Sequence, residues 1–279
     1  MIALPRRKSG LEPSSALNQV NYQDDDGNYE QERRYSCMKK EAKSRSFRNR
    51  ILARLSSADK RRIASKLTRV DAVPRDSLYE PNKPFRYVYF PETAVASILT
   101  VLEDGTESEV ATIGYEGMVG LPVFLGANRS SGRSFWQVPG EAYRLPVKVF
   151  KKETNRNGAL NGNISLYTQV FFAQIAQTVG CNRMHNVTQR CARWLLVTHD
   201  RVPGDEFELT QQFLSQMLSI RRTGVSEVAG KLQRAGLIRY RRGRITILNR
   251  KRLEKTSCEC YRVVRSEFDR LLGAEVNRK

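Results

Sequence analysis

The sequence predicts an α+β fold: an N-terminal β-roll, one long helix, and a C-terminal pair of short helices with a basic hairpin behind them. Three observations predict it. Short β-prone runs crowd residues 74–146, an apolar helical period runs through 158–181, and residues 207–248 join two amphipathic helices to two alternating strands.

Residues 1–44 are polar and mixed in charge, with Asp24-Asp25-Asp26-Gly27 and Lys39-Lys40, and are expected to form a disordered arm. Residues 47–55 and 58–67 have the pattern of short helices, with Ser56-Ser57 placed to cap the second. Strands are expected at 87–90, 94–102, 109–113 and 142–145. They are separated by turn signals at Pro81-Asn82-Lys83-Pro84, Glu103-Asp104-Gly105, Gly114-Tyr115-Glu116-Gly117 and Pro139-Gly140. Asp104-Gly105 is a strong hairpin signal because both residues tolerate the left-handed conformation a tight turn requires. Many short strands at this spacing argue for a sandwich or roll.

From 158 to 181 Leu160, Ile164, Tyr167, Phe171 and Ile175 keep a helical spacing, while Leu166, Val170, Ala173 and Val179 extend apolar character around the side. A helix apolar on two faces needs two burial surfaces. One is the chain's own β-domain; the same helix of a second subunit is favoured for the other over a monomeric core. Residues 187–199, with Trp194, Leu195 and Val197, form the next amphipathic helix.

Thr210 is a good N-cap for a helix that buries Phe213, Leu214, Met217 and Leu218. Ile220 plugs the turn, and a second helix starting near Arg221–Thr223 buries Val225, Val228, Ala229 and Leu232. Its other face presents Arg222, Thr223, Ser226, Lys231 and Arg234. Gly236 suits a left-handed C′ position, and Ile238-Arg239-Tyr240 and Arg244-Ile245-Thr246-Ile247 alternate as strands around Gly243. This is the build of a winged helix-turn-helix, which sets a helix in the DNA major groove. Short polar residues and arginine at a helix N-terminus suit base-edge and phosphate contacts.

Charge agrees. The chain has a formal net charge of +19. Residues 207–252 hold eleven Lys and Arg against Glu208 and Glu227, a net +9 in one short segment. Concentrated positive charge binds phosphate through counterion release, so Arg241, Arg242 and Arg244 read as backbone contacts rather than a solvated turn.

Other classes fit poorly. No apolar run approaches the ~18–20 residues needed to span a bilayer, and the first residues resemble no secretion signal, so a cytoplasmic protein without membrane attachment is expected. Five scattered cysteines argue against a disulfide framework. Cys258-Glu-Cys260 lacks the two-residue spacer of zinc and redox pairs, and no partner pair exists elsewhere in the sequence. With only His185 and His199 besides, the expectation is no metal, no cofactor and no catalytic residues.

The order of elements, with Ile113-Gly-Tyr-Glu-Gly-Met-Val-Gly-Leu-Pro122, Asn182-Arg-Met-His-Asn-Val-Thr-Gln-Arg190 and Leu209-Thr-Gln-Gln-Phe-Leu-Ser-Gln-Met-Leu218, resembles the Crp/Fnr family of bacterial transcription regulators over about 48–253. The resemblance implies a roll of the double-stranded β-helix, cyclic-nucleotide-binding-like kind, a homodimer on a near-palindromic double-stranded DNA site, and RNA polymerase as a further partner. It divides the chain into the arm at 1–44, the roll at 45–153, a dimerisation helix at 154–183, the reader at 184–253, and a C-terminal helix and tail at 254–279. Its base-reading positions fall on Arg222, Thr223, Ser226 and Glu227, and Arg221 beside them is expected to contact DNA as well. Arg222 is matched to guanine O6/N7 and Glu227 to cytosine N4. Its nucleotide cassette falls on Arg133 and Ser134, but Phe135 replaces a small residue, Leu121 stands where an acid is needed, and Ile175-Ala176 replace a polar pair. Leaving ribose hydroxyls against such groups costs ~1–3 kcal/mol each, so a roll without a cyclic nucleotide is expected, with a working cAMP receptor as the alternative. An iron–sulfur cluster of the Fnr kind needs several N-terminal thiolates, and only Cys37 lies in that half.

Overall fold

The structure is a computed structural model that describes residues 46–273; the arm expected at 1–44 and the basic tail at 276–279 lie outside the described residues. The chain opens with α1 (Arg50–Ala53) and α2 (Ser57–Ala64), each N-capped by a side chain, Asn49 and Ser56. Seven strands follow: β1 (Thr68–Ala72), β2 (Ser77–Tyr79), β3 (Tyr87–Pro91), β4 (Val95–Val101), β5 (Glu107–Ile113), β6 (Arg133–Val138) and β7 (Gly140–Pro146). The short α3 (Leu121–Phe124) lies between β5 and β6. They form two antiparallel sheets, ordered β1-β7-β3 and β2-β6-β4-β5.

The β4–β5 hairpin pairs Ala96 with Ile113 and Val101 with Glu107. Its turn falls where expected, with Gly105 but not Asp104 left-handed: Gly105 adopts φ +80° and donates to Leu102 O at 3.0 Å, while Asp104 Oδ1 accepts from Thr106 N at 2.8 Å. Three strands have no counterpart among the expected ones. β6 is buried at five consecutive positions, so it lacks the alternation that marks a half-exposed strand. β1 exposes charged Arg69 and Asp71, and β2 has only three residues.

After α4 (Val147–Thr154) comes α5 (Ala159–Met184), 26 residues long and close to the expected span. It buries Leu160, Ile164, Tyr167 and Val170 in a core shared with Ile51, Leu52 and Phe90. Asn163 Nδ2 donates to Ile51 O at 3.1 Å, fixing α1 against it. One flank of α5 is covered from within the chain by α10 (Cys260–Leu272), whose Val264, Phe268 and Leu272 enter the same core. A stripe stays uncovered, with Phe172 59%, Val179 66% and Met184 76% exposed.

His185 and Asn186 break the helix in extended conformation, and α6 (Val187–Arg201) starts from a capping box between Asn186 and Gln189. Then come β8 (Glu206–Glu208), α7 (Gln211–Leu218), α8 (Arg222–Arg234), β9 (Ile238–Arg241), β10 (Arg244–Ile247) and α9 (Arg250–Thr256). The sheet order β8-β10-β9 makes a three-stranded wing, one strand more than expected. The fold is α+β, a β-roll and a winged helix-turn-helix around a long helix. Roll and reader share one core, in which Val95, Leu99, Phe135 and Val138 join Trp194, Leu195, Leu214 and Met217.

Candidate nucleic-acid interface

Local chemistry sets the reader's shape. Thr210 Oγ1 accepts from Phe213 N at 3.2 Å and starts α7. Ser219 takes φ +51° to end it, Ile220 packs on the core, and extended Arg221 precedes the first turn of α8. Val225, Val228, Ala229 and Leu232 are buried, as their spacing predicts. The opposite face holds Arg221, Arg222, Thr223, Ser226, Glu227 and Lys231, all exposed. Gly236 closes the helix at φ +68°.

Several of these side chains are braced. Arg222 Nη2 donates to Gln212 Oε1 at 2.7 Å, which steers the guanidinium across the start of α8. Glu227 and Lys231 pair at 2.7 Å, and the hydrogen bond from Lys231 holds the Glu227 carboxyl below its ordinary range. Arg242 (φ +50°) and Gly243 (φ +75°) form the wing's tight turn and lift the exposed Arg241 and Arg242 side chains at its tip. Arg244 instead lies between Glu206 at 3.4 Å and Glu208 at 3.2 Å. Arg250, part of the same basic run, is tied to Asp200 at 2.5 Å and to the Tyr261 hydroxyl at 2.6 Å, so it serves packing. His199 is buried beside it: Nδ1 accepts from Arg250 at 2.7 Å, which leaves Nε2–H to donate to Asp205 at 2.8 Å.

Two buried links join reader to roll. Trp194 Nε1 donates to Glu109 Oε1 at 2.8 Å, and Arg201 Nη2 meets Glu116 Oε1 at 2.6 Å. Burial pushes the Glu109 carboxyl up to about 7. Neither link had a sequence signal, since the partners are far apart and lie on different elements.

At the cassette position, Arg133 Nη1 donates to Glu107 Oε1 at 2.8 Å and its Nε lies 3.5 Å from Glu80. Ser134 is fully buried, and Phe135 packs edge-on against Phe213, with ring centroids 5.8 Å apart. Leu121 is buried, while Ile175 is half-buried and Ala176 exposed.

The ground for setting Cys258 and Cys260 aside does not hold in space. Cys181 and His185, at the end of α5, come to both of them, and the four ligand atoms lie within 4.8 Å of one another. Cys181 Sγ and Cys258 Sγ lie in hydrogen-bond contact at 3.5 Å, and this contact lowers the Cys181 thiol and raises that of Cys258. No local spacing signals a set drawn from positions 77 residues apart.

The architecture is a β-roll joined through a long helix to a winged helix-turn-helix. Residues 189–256 match the family model of the Crp-like helix-turn-helix domain. The fold is that of solved Crp/Fnr structures. FixK2 from Bradyrhizobium japonicum is 16% identical at a TM-score of 0.59, over 69% of this chain and 98% of that one. A putative Crp/Fnr regulator from Eubacterium rectale is 17% identical at 0.57, over 72% and 94%. The c-di-GMP responsive regulator CLP from Xanthomonas campestris is 16% identical at 0.55, over 69% and 99%. A comparison with curated proteins finds no match. Residues 189–256 are thus similar to a Crp-like helix-turn-helix domain, and the chain shares its fold with solved Crp/Fnr structures. Among the described residues, no helix is long and apolar enough to cross a membrane.

Proposed function

We propose that this chain acts as a homodimer in the bacterial cytoplasm, reading a near-palindromic DNA site with paired α8 helices and working on RNA polymerase as a regulator rather than an enzyme. Residues 45–153 serve as a sensor-derived roll, 154–183 as the dimerisation helix and 184–253 as the reader. One observation carries the reading: Arg222, Thr223, Ser226 and Glu227 lie together on the exposed side of the first turns of α8, whose other side is core. Arg221 and Lys231 flank them, Arg241 and Arg242 at the wing tip supply phosphate contacts, and Arg244 joins them by exchanging Glu206 and Glu208 for phosphate. The apolar stripe of Phe172 and Val179, seven residues apart, supports the dimer. Selection from a random duplex pool tests the proposal. A two-fold symmetric motif with half-site centres about 10 base pairs apart is expected, and recovery of no motif overturns it.

The second reading, a cAMP-responsive roll, rests on the partly exposed guanidinium of Arg133 at the cassette position. Glu80 and Glu107 already engage that guanidinium and would repel a phosphate, which favours a roll without cyclic nucleotide. Calorimetry with cAMP and cGMP separates the two: binding abolished by Arg133→Ala establishes the second.

A further inference from the structure

At the end of α5, Cys181 and the C-cap residue His185 stand one helical turn apart. Cys258, in the three-residue link after α9, and Cys260, the first residue of α10, close on them from the other side. The three cysteines are buried and form a small cluster of their own, apart from the apolar cores. Cys181 Sγ lies 3.5 Å from Cys258 Sγ, and Cys260 Sγ lies 3.5 Å from His185 Nδ1. A zinc ion with bonds of roughly 2.3 Å to sulfur and roughly 2.0 Å to nitrogen spaces its tetrahedral ligand atoms about 3.5–3.8 Å apart. Both of these distances are close to a tetrahedron's edges, and all four ligand atoms lie within 4.8 Å of one another.

The surroundings have the layout of a metal site's outer layer. His185 turns Nδ1 towards the sulfurs, and its Nε2 lies 3.2 Å from the Glu259 carboxylate. A carboxylate on the far nitrogen fixes the tautomer that leaves the near nitrogen's lone pair for a metal. Gln177 Nε2, one turn before Cys181, donates to Cys260 Sγ at 3.0 Å and limits its rotation. Arg193 places positive charge near Cys181, which offsets the surplus negative charge of three thiolates around one divalent ion.

We propose that Cys181, His185, Cys258 and Cys260 form a structural metal site for one divalent cation of the zinc class. Three sulfurs and one nitrogen complete a tetrahedron and leave no open position, which marks a structural rather than catalytic ion. On binding, each thiol gives its proton to solvent and no electron changes hands. The ion fastens the start of α10 to the end of α5, just where the chain breaks into α6 and the reader. A disulfide between Cys181 and Cys258 would use two of the same sulfurs and exclude the metal.

Full-length protein prepared under reducing conditions with zinc present, then desalted, tests this by elemental analysis. One zinc per chain is expected, and Co(II) in its place gives the thiolate charge-transfer and intense visible bands of a tetrahedral site. Cys258→Ser/Cys260→Ser loses at least nine-tenths of the metal, while His185→Cys, which keeps four ligands, retains it. Cys37→Ser, which changes none of the four proposed ligands, leaves the stoichiometry unchanged. Metal-free wild type, octahedral Co(II) spectra, metal persisting in the double serine variant, or metal lost from Cys37→Ser each overturns the proposal. So does mass spectrometry that finds a Cys181–Cys258 disulfide as the resting state of the reduced preparation.

Discussion

The Trp194 indole donates to Glu109 Oε1 at 2.8 Å, tying α6 of the reader to β5 of the roll. Ser97 Oγ lies 2.9 Å from the other carboxylate oxygen and 2.8 Å from Gln137 Oε1, so one hydroxyl proton faces two acceptors. A proton on Glu109 resolves the surplus, because the carboxyl then donates to Ser97 and Ser97 to Gln137. Burial raises this group to about 7 from an unfolded 4.5. Its contribution to stability is therefore full below the unfolded value and is lost as pH rises through about 7. Glu109→Gln should gain about 2–3 kcal/mol over wild type at alkaline pH and nothing near pH 4–5. Thermal melts across pH check it; a gain independent of pH rules out the protonated carboxyl.

Arg201 and Glu116 form a second tie, both nearly withdrawn from water, with Arg201 also donating to Thr112 Oγ1. Removing one member leaves the other's charge buried without its partner. Arg201→Met should cost roughly 3–5 kcal/mol in denaturant unfolding, and adding Glu116→Gln should restore part of it. Strictly additive losses would show that the pair is not coupled.

Gly117 passes so close to the ring of Tyr167 on α5 that an added Cβ would lie 2.4 Å from it. Gly117→Ala should destabilise by about 1–3 kcal/mol by forcing the ring aside. Truncating Tyr167 to Ala should then abolish the effect of the glycine substitution in a double-mutant cycle.

Arg222 and Arg242 should fail differently. Arg222→Ala is expected to relax choice at one base position by ~1–3 kcal/mol in competition binding. Arg242 sits at φ +50°, so Arg242→Gly should leave fold stability level or slightly higher. The same change should weaken every DNA sequence alike and lower the salt slope by about 1. Equal behaviour of the two variants would remove the distinction between base reading and phosphate anchoring.

Phe172→Glu/Val179→Glu places charge on the uncovered stripe of α5. Sedimentation should show a dimer become a monomer, with affinity for a two-fold site falling at least tenfold. An unchanged association state would put the dimer contact elsewhere.

The reader was legible because its signals are local. The Thr210 cap, the left-handed Gly236 and the Gly243 turn each fix their own few residues, and all three occur where expected. The roll was legible only where strands alternate or turn on Asp104-Gly105. β6, covered on both faces, and β1, whose exposed charges mask a strand, carry no such mark. Long-range pairings were invisible for the same reason in three places: Glu109 with Trp194, Glu116 with Arg201, and the cysteines with His185. Each is defined by the packing of separate elements. The covering of α5 by α10 was missed too, because amphipathicity reports that a face is buried but not by what.

The seating of α7 on the roll, through Phe213 against Phe135 and Ser219 against Ser108 at 3.2 Å, has a mechanical consequence. These contacts, with the shared core, tie the winged helix-turn-helix to the roll of the same chain. In the proposed dimer, that seating would pass a change in the roll to the reader as a tilt of whole protomers about their common seam, and the geometry of that seam would set the DNA spacing that can be gripped.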